Sequence, residues 1–547
     1  MECFDYIIVG AGSAGGTLAW RLSEQRSLRI LLLEAGGEYK GPLLDMPAGW
    51  GRLLYDRRYA WPFESEPERW AGGRRVALPR GKVVGGSSSI NGMLYVRGDR
   101  ADYASWVKAG ATGWSWDDLL PYFISTEGQR SNKGSLGDTK LHGRSGPLVA
   151  ATPSAPHPVT QAMIEAGVQA GLPRCEDFNA GHPYGVGLFQ ANVEQGRRAS
   201  IARYAIQPAA RRSNLTVRTH ALTTRLLFED KKAVGVCWRE KDGSERQAQA
   251  SSEVLVCAGA VQSPQLLMAS GIGPAAHLGE LGIPVLADLS GVGDNLQDHA
   301  VVPMSWRLRP GAPSLNHAFR GLGLACSVGR YLLTRGGPMA LPAAEFGAWF
   351  KSDPDLPYSD IEVHGLPVTG DMEDLERKHN KGQQPERRPG MTLAPYQVRP
   401  YSRGTLRLRS ADMADPPHMQ INYLDDERDR RALLFGLRFM RKMVQQPALA
   451  AIVEAETRPG PSVTRDDEWL DWLAPLVFSG YHLVGTCRMG RSDDPGTVVT
   501  PDLKVRGVTG LRVIDASVMP HLISGNTNAT SVVIGAKGAD LVLGHGR

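Results

Sequence analysis

Two groups of residues in this chain have the types and spacing to do chemistry, and they lie at opposite ends of it. Near the start, Gly10-x-Gly12-x-x-Gly15 follows the apolar run Tyr6 to Val9 and precedes a helical pattern carrying Leu18, Ala19 and Leu22. A strand, a tight turn and a helix N-terminus in that order form an anion site. Gly10 permits the turn, Gly12 admits a pyrophosphate to the backbone, and Gly15 lets helix and strand pack closely. Glu34 ends the next apolar strand, where a carboxylate can accept from a ribose hydroxyl. A bare GxGxxG is a weak signal; with both strands and the acid in place it points to a bound dinucleotide. Near the other end, Tyr481-His482-Leu-Val-Gly-Thr-Cys-Arg-Met-Gly490 offers a histidine. Its pKa near neutrality suits taking the hydroxyl proton of an alcohol whose hydride is leaving. Taken alone, His482 fits a structural role as well as it fits that of a base.

The framework that must position these groups is large. A chain of 547 residues exceeds the size at which one hydrophobic core keeps growing, so two domains or one elaborated domain are expected. Apolar residues make up 42% and charged residues 22%, the ordinary balance of a soluble globular protein. The net charge of +5 is spread along the sequence and argues against a nucleic-acid partner; the cluster Arg428 to Arg431 reads as a solvated helix face. Six cysteines show neither CxxC nor paired spacing, so no disulfide framework and no metal site are expected, which fits a reducing cytoplasm. The first strand begins too near Met1 to leave room for a signal peptide. No uncharged apolar run reaches about 18 residues, so no transmembrane helix is expected, while peripheral contact with the inner membrane face stays open.

Between the two ends, Gly81-Lys-Val-Val-Gly-Gly-Ser-Ser-Ser-Ile-Asn91 is a loop rich in backbone and hydroxyl donors. This stretch resembles the first signature of the glucose-methanol-choline (GMC) flavoprotein oxidoreductases, and Gly259-Ala-Val-Gln-Ser-Pro-Gln-Leu-Leu-Met-Ala-Ser-Gly-Ile-Gly273 resembles their second. The similarity extends over essentially the whole chain and is greatest to the choline-dehydrogenase-like and alcohol-dehydrogenase-like bacterial branch. It implies an α/β fold: a Rossmann-like FAD-binding domain interleaved with an α+β substrate domain on an antiparallel sheet. The implied division gives 1–155, 199–305 and 466–547 to the FAD part, and 156–198 and 306–465 to the substrate part.

The resemblance also assigns roles. Gly10, Gly12, Ser13, Ala14, Gly15, Glu34 and Ala35 belong to the dinucleotide fold, and Val84, Gly86, Asn91, Gly92 and Met93 lie by the isoalloxazine. A backbone group at about Ala221 faces the adenine. Asp515 and Ala516 match positions at the ribityl and phosphate groups, and Asn528 and Ala529 match positions at the pyrimidine edge. Arg197, Ser200 and Tyr204 match a segment that returns the chain to the FAD fold. Some members bond the flavin covalently to a histidine whose place here is taken by Ile90, so non-covalent FAD is expected. His482 takes the place of the family's proton acceptor, and Asn526 that of its partner, whose amide can donate to a developing alkoxide.

Elsewhere the signals are plainer. Residues 127–146 and 372–390 read as polar surface loops, and Asp426 to Gln446 as an amphipathic helix with Leu433, Leu434, Leu437 and Met440 inward. Ile361 to Gly365 and Gly404 to Ser410 alternate as strands, and a sheet of such strands would wall the space above a flavin. His299 and His521 read as structural histidines, as does His364, with a place facing the space above the flavin as its alternative. The glycine patterns at Gly271 and Gly291 lack a strand–turn–helix context and read as turns. With no second dinucleotide fold, the electron acceptor expected is a quinone or other carrier, with O2 as the alternative of an oxidase. A flavin-containing hydroxynitrile lyase is a remote alternative on the same fold.

Overall fold

Strands that are apolar at every position need cover on both faces. In this computed structural model, which describes residues 2–130, 140–153, 155–370 and 384–545, five parallel strands obtain it. Their order is Leu215–Arg218, Ile30–Leu33, Glu2–Val9, Glu245–Val256 and Leu511–Val513. Every side chain from Ile30 to Leu33 is buried. The long strand Glu245–Val256 changes character along its length. Its first half mixes exposed and buried positions and pairs antiparallel with Lys232–Arg239, which pairs in turn with Leu222–Glu229; from Val254 it is buried throughout.

The two ends of the chain meet on one face of this sheet. The helix Ser13–Leu22 packs against the final helix Asn528–Val542 so closely that a Cβ at Gly535 would stand 2.3 Å from the Ala14 carbonyl oxygen. That contact sets Asn528 beside Ser13, whose hydroxyl donates to Asn528 Oδ1 at 2.7 Å. No helix of the described residues is long and apolar enough to cross a membrane.

A second, antiparallel sheet runs Val453–Arg458, Met304–Leu308, Gly390–Gln397, Ile361–Leu366, Phe346–Phe350, Gly185–Leu188. Ala300–Val301 and Phe478–Ser479 attach to it beside Tyr396. Alternation along Ile361–Leu366 decides what each face does. Ile361, Val363 and Gly365 point to the covering helices: Ile361 lies against Gly436 of Glu427–Val444, and Gly365 against Met163 of Pro158–Gln169. His364 and Leu366 point the other way, into a cavity between the two sheets. Asp426 caps Glu427–Val444 by accepting from the Arg428 N–H, and Leu433, Leu434, Leu437 and Met440 are buried as the sequence pattern requires.

Two sequence expectations are corrected. Thr405–Arg407 is a strand, but it pairs only with His418–Gln420 in a separate ribbon and does not join the wall. The Leu406 N–H goes instead to the Gly293 carbonyl at 2.6 Å. Nor is 127–146 simply a surface loop: Glu127–Arg130 is a strand parallel to Leu148–Ala151. Glu127 is fully buried, accepting from Arg97 at 2.5 Å and contacting His142, which also meets Asp177 at 2.9 Å. Polarity misled here because the charges satisfy one another inside the fold. Residues 131–139 of that stretch, and 372–383 of the loop expected over 372–390, lie outside the described residues.

Candidate active site

The cavity between the sheets has a volume of about 1220 Å³, larger than a single small-ligand site of roughly 300–1,000 Å³. One end is made by the glycine turn. Gly10 has φ +102°, and a Cβ there would fall 2.5 Å from the Cys257 carbonyl oxygen. A Cβ on Gly15 would fall 2.0 Å from the Gly10 oxygen, so these two glycines serve chain packing. Gly12 and Gly86 meet at the cavity wall: a Cβ on Gly86, φ +52°, would lie 2.7 Å from the Gly12 Cα, whereas a Cβ on Gly12 would have nothing nearer than the Gly86 Cα at 4.0 Å. Gly12 caps the Ser13–Leu22 helix without a side-chain bond, leaving the N–H groups of its first turn for an anion.

Glu34 closes this end. Its carboxylate accepts from the Ala11 N–H at 3.1 Å and the Gly36 N–H at 2.8 Å, and burial pushes it up to about 7. Ala35 and Ala221 line the cavity beside it; the Ala221 N–H is already donated to the Glu34 carbonyl. Ser13, Ala14, Asn91, Gly92, Met93, Asp515, Ala516 and Asn528 also line the cavity. Asp515 is buried, where desolvation raises its pKa, and it accepts from the Gly259 N–H, the Ser263 hydroxyl and the Ser517 N–H at 2.6–2.8 Å. Gly15, Val84 and Ala529 do not line the cavity. Gly15 is occupied by strand–helix packing, and Val84 and Ala529 are buried behind the wall. Ile90 is buried at the wall, with only hydrocarbon to offer.

The middle of the floor rests on the arginine that follows Arg197. Arg198, fully buried, donates to the Asn91 carbonyl at 2.6 Å and to Asn91 Oδ1 at 2.9 Å; Arg197 is turned outward, 3.7 Å from Asp45. Asn91 Oδ1 in turn accepts from the Met93 N–H at 3.1 Å, holding Met93 at φ +66°.

At the other end stand His482 and Asn526. Tyr481, at φ +63°, carries His482 into the cavity; the Ser479 hydroxyl accepts from the Tyr481 N–H and Arg80 donates to its carbonyl, both at 2.7 Å. This strained backbone is over-determined by its surroundings. Buried Asp298 accepts from the His482 N–H at 2.7 Å and from the hydroxyls of Tyr423 and Ser479. Gly525, at φ +153°, lets Asn526 approach: a Cβ there would be 2.3 Å from Val96. Asn526 Nδ2 lies 3.0 Å from His482 Nε2, while Asn526 Oδ1 is buried with no partner among the described residues.

His299, expected to be merely structural, touches His482: the two Nδ1 atoms are 2.9 Å apart. His299 Nε2 faces the Val398 carbonyl at 3.1 Å. A carbonyl only accepts, so that Nε2 carries the hydrogen. Burial pushes the His299 pKa down to about 3, so the ring is neutral and its Nδ1 is a bare acceptor. The facing Nδ1 of His482 must therefore donate, and His482 keeps its proton there and a lone pair at Nε2. Burial, and then the neighbouring His299, His364 and Arg80, hold the His482 pKa well below the usual histidine range. His299 is thus a positioning residue that fixes a tautomer. Sequence gave no sign of it, since 183 residues separate the pair. Replacing His299 by phenylalanine is expected to slow anaerobic flavin reduction about 10- to 100-fold with flavin content retained, and to move the acid limb of the pH profile. His299→Asn, whose side-chain oxygen can take the place of Nδ1, should restore part of the loss.

The opposite wall carries His364, also read as structural from sequence. It lines the cavity with Nε2 at 2.9 Å from the Tyr396 hydroxyl and 3.1 Å from Glu362 Oε1. Although three histidines gather here, no group of three His, Cys, Asp or Glu among the described residues is placed to hold a metal ion.

The family profile of the GMC oxidoreductases matches residues 4–301 and, with its C-terminal part, 400–535. The chain belongs to the GMC oxidoreductase family. This GMC oxidoreductase is 38% identical over 543 residues to an "Alcohol dehydrogenase [acceptor]" of Pseudomonas putida, covering 99% of this chain and 96% of the other. It is 40% identical over 548 residues to an "Oxygen-dependent choline dehydrogenase" of Escherichia coli O157:H7, covering 99% and 94%. Among solved structures it superposes on pyridoxine 4-oxidase from "Mesorbium loti" with a TM-score of 0.86 at 32% identity over 98% of both chains. It superposes on a formate oxidase with a TM-score of 0.91 at 26% identity over 99% of this chain and 98% of that one. The protein is an FAD-dependent oxidoreductase acting on CH–OH groups. The cavity fits the cofactor: opposed glycine backbones, an open helix N-terminus and the Glu34 carboxylate suit a dinucleotide, and the remaining volume reaches His482.

Proposed function

We propose that this GMC oxidoreductase converts a primary alcohol to an aldehyde with His482 as general base and Asn526 as oxyanion donor, and passes the electrons to an acceptor other than a nicotinamide. The observation that carries the reading is the unprotonated Nε2 of His482 paired with the Asn526 amide nitrogen at 3.0 Å, which sets a proton acceptor and an N–H donor side by side. An alcohol oxygen placed against both atoms takes over that hydrogen bond: it donates its hydroxyl hydrogen to Nε2 and accepts from the amide N–H. As the proton leaves, that N–H stabilises the alkoxide without competing for the proton, and His482 becomes an imidazolium whose Nδ1–H stays on His299. Bound FAD supplies the hydride acceptor. Gly10, Gly12, Ser13, Ala14 and Glu34 would hold its dinucleotide portion, and Gly86, Asn91, Gly92 and Met93 the region below the substrate. In this reading 1–155, 199–305 and 466–547 form the FAD part, with 156–198 and 306–465 as the substrate part.

The cofactor is held without a bond to the protein, because Ile90 offers no nucleophile. Acid precipitation is expected to release all the flavin into the supernatant; colour retained on the pellet would contradict this.

Much of the substrate end is apolar, with Leu315, Phe319, Leu324, Val328, Met339 and Leu341 along it, which favours alcohols with a hydrocarbon body. The test is a panel of alcohols scored by anaerobic bleaching of the flavin, followed by parallel assays of dye reduction and hydrogen peroxide. Bleaching with dye reduction and little peroxide is the expected result. Stoichiometric peroxide would favour an oxidase, the activity named for the two structural neighbours above, and no bleaching by any alcohol would reject the reading.

A further inference from the structure

The helix Gly321–Thr334, GLGLACSVGRYLLT, has more apolar surface than the fold covers, and Arg330 is its only charged residue. Ser327 and Tyr331 are buried, and the Tyr331 hydroxyl donates to the Asp45 carbonyl at 3.3 Å. Leu324 and Val328 line the cavity. At about 100° per residue, Leu322, Ala325, Cys326, Gly329 and Leu333 fall on a separate outward stripe, with Leu332 at its edge. Leu322 and Leu333 are each 87% exposed, and Leu332 is 54% exposed. A helix apolar on both its inner and outer sides requires a partner for the outer one.

We propose that this stripe docks on the surface of an anionic lipid bilayer, placing the apolar end of the cavity at the membrane. The charge around it fits: from Arg320 to Ala344 the sequence has three arginines and no Asp or Glu. Arg320 precedes the helix, Arg330 flanks the stripe and Arg335 follows the last turn. Asp45, the acid beneath the helix, is matched by Arg203 at 3.2 Å and Arg197 at 3.7 Å. Arginines framing a leucine face suit phosphate headgroups above an acyl boundary. A lipid surface takes both features together, the leucines in its acyl layer and the arginines at its headgroups. It also concentrates alcohols with hydrocarbon bodies beside the protein, an advantage that rests on the functional reading above.

Flotation of the purified holoenzyme with phosphatidylcholine vesicles, with and without phosphatidylglycerol, tests the docking without using activity. The wild type is expected to float with the anionic vesicles and to be partly released by salt. The double variant Leu322→Glu, Leu333→Glu is expected to bind about tenfold more weakly or less while remaining yellow. In a Cys3→Ser background, a polarity-sensitive fluorophore on exposed Cys326 should shift to the blue on the same vesicles, a readout independent of the double variant. Three results would each overturn the proposal: no binding of the wild type to either vesicle, undiminished binding of a yellow double variant, or sedimentation showing that the double variant dissociates a dimer formed by the wild type. The last would assign the stripe to a second copy of the chain.

Discussion

Replacing His482 by alanine is expected to slow anaerobic reduction of the bound flavin by about 10²- to 10⁴-fold, the range of a positioned general base. The cavity end is otherwise intact in such a variant, because the ring is not a brace: its hydrogen bonds go to the two side chains His299 and Asn526, whereas the backbone around it is held by Asp298, Ser479 and Arg80. Flavin content and the visible spectrum should therefore match the wild type, and reduction at the wild-type rate would reject the assignment. The pH dependence carries a sign. Because burial holds the His482 pKa well below the usual range, the unprotonated form persists under mildly acidic conditions. The wild-type rate should thus show no fall at the ordinary histidine pKa of about 6.5, and should decline only at lower pH. A limb at 6.5 would mean that the base is solvated or lies elsewhere.

The second large effect is at Asn526. Asn526→Leu keeps the approximate shape and removes the donor, and a loss of about 10²- to 10³-fold in flavin reduction is expected, as for the removal of one oxyanion donor. Asn526→Asp separates that donor role from simple packing. The carboxylate only accepts, so the alkoxide loses its N–H, and a negative charge about 3 Å from His482 Nε2 favours the imidazolium and raises the histidine pKa. The acid limb should move upward in Asn526→Asp and stay in place in Asn526→Leu. Equal profiles in the two variants, or rates within a few-fold of the wild type, would count against the amide as oxyanion donor.

What could be read from the sequence is what local backbone geometry demands. Gly10 and Gly15 announce a strand, a turn and a helix because a Cβ at either would strike backbone, the Cys257 carbonyl on the adjoining strand for Gly10 and the Gly10 carbonyl for Gly15. The inward face of Glu427–Val444 was legible for the same reason, since helical periodicity is local. His482 and Asn526 were legible only through resemblance to a family, because no spacing rule brings an asparagine 44 residues downstream to a histidine ring.

Tertiary structure alone decided the state of that ring. The partners that fix it, His299 and the Val398 carbonyl, lie 183 and 84 residues away, and they matter through burial, which keeps both imidazoles neutral. The same holds for Arg198 under Asn91, for His364 on the cavity wall and for the interior cluster of Arg97, Glu127 and His142, the last two of which read from sequence as part of a surface loop. A sequence states which groups a residue carries. Which of them lose water and which find a donor depends on contacts between distant segments, and that desolvation, not residue type, determines where the proton sits.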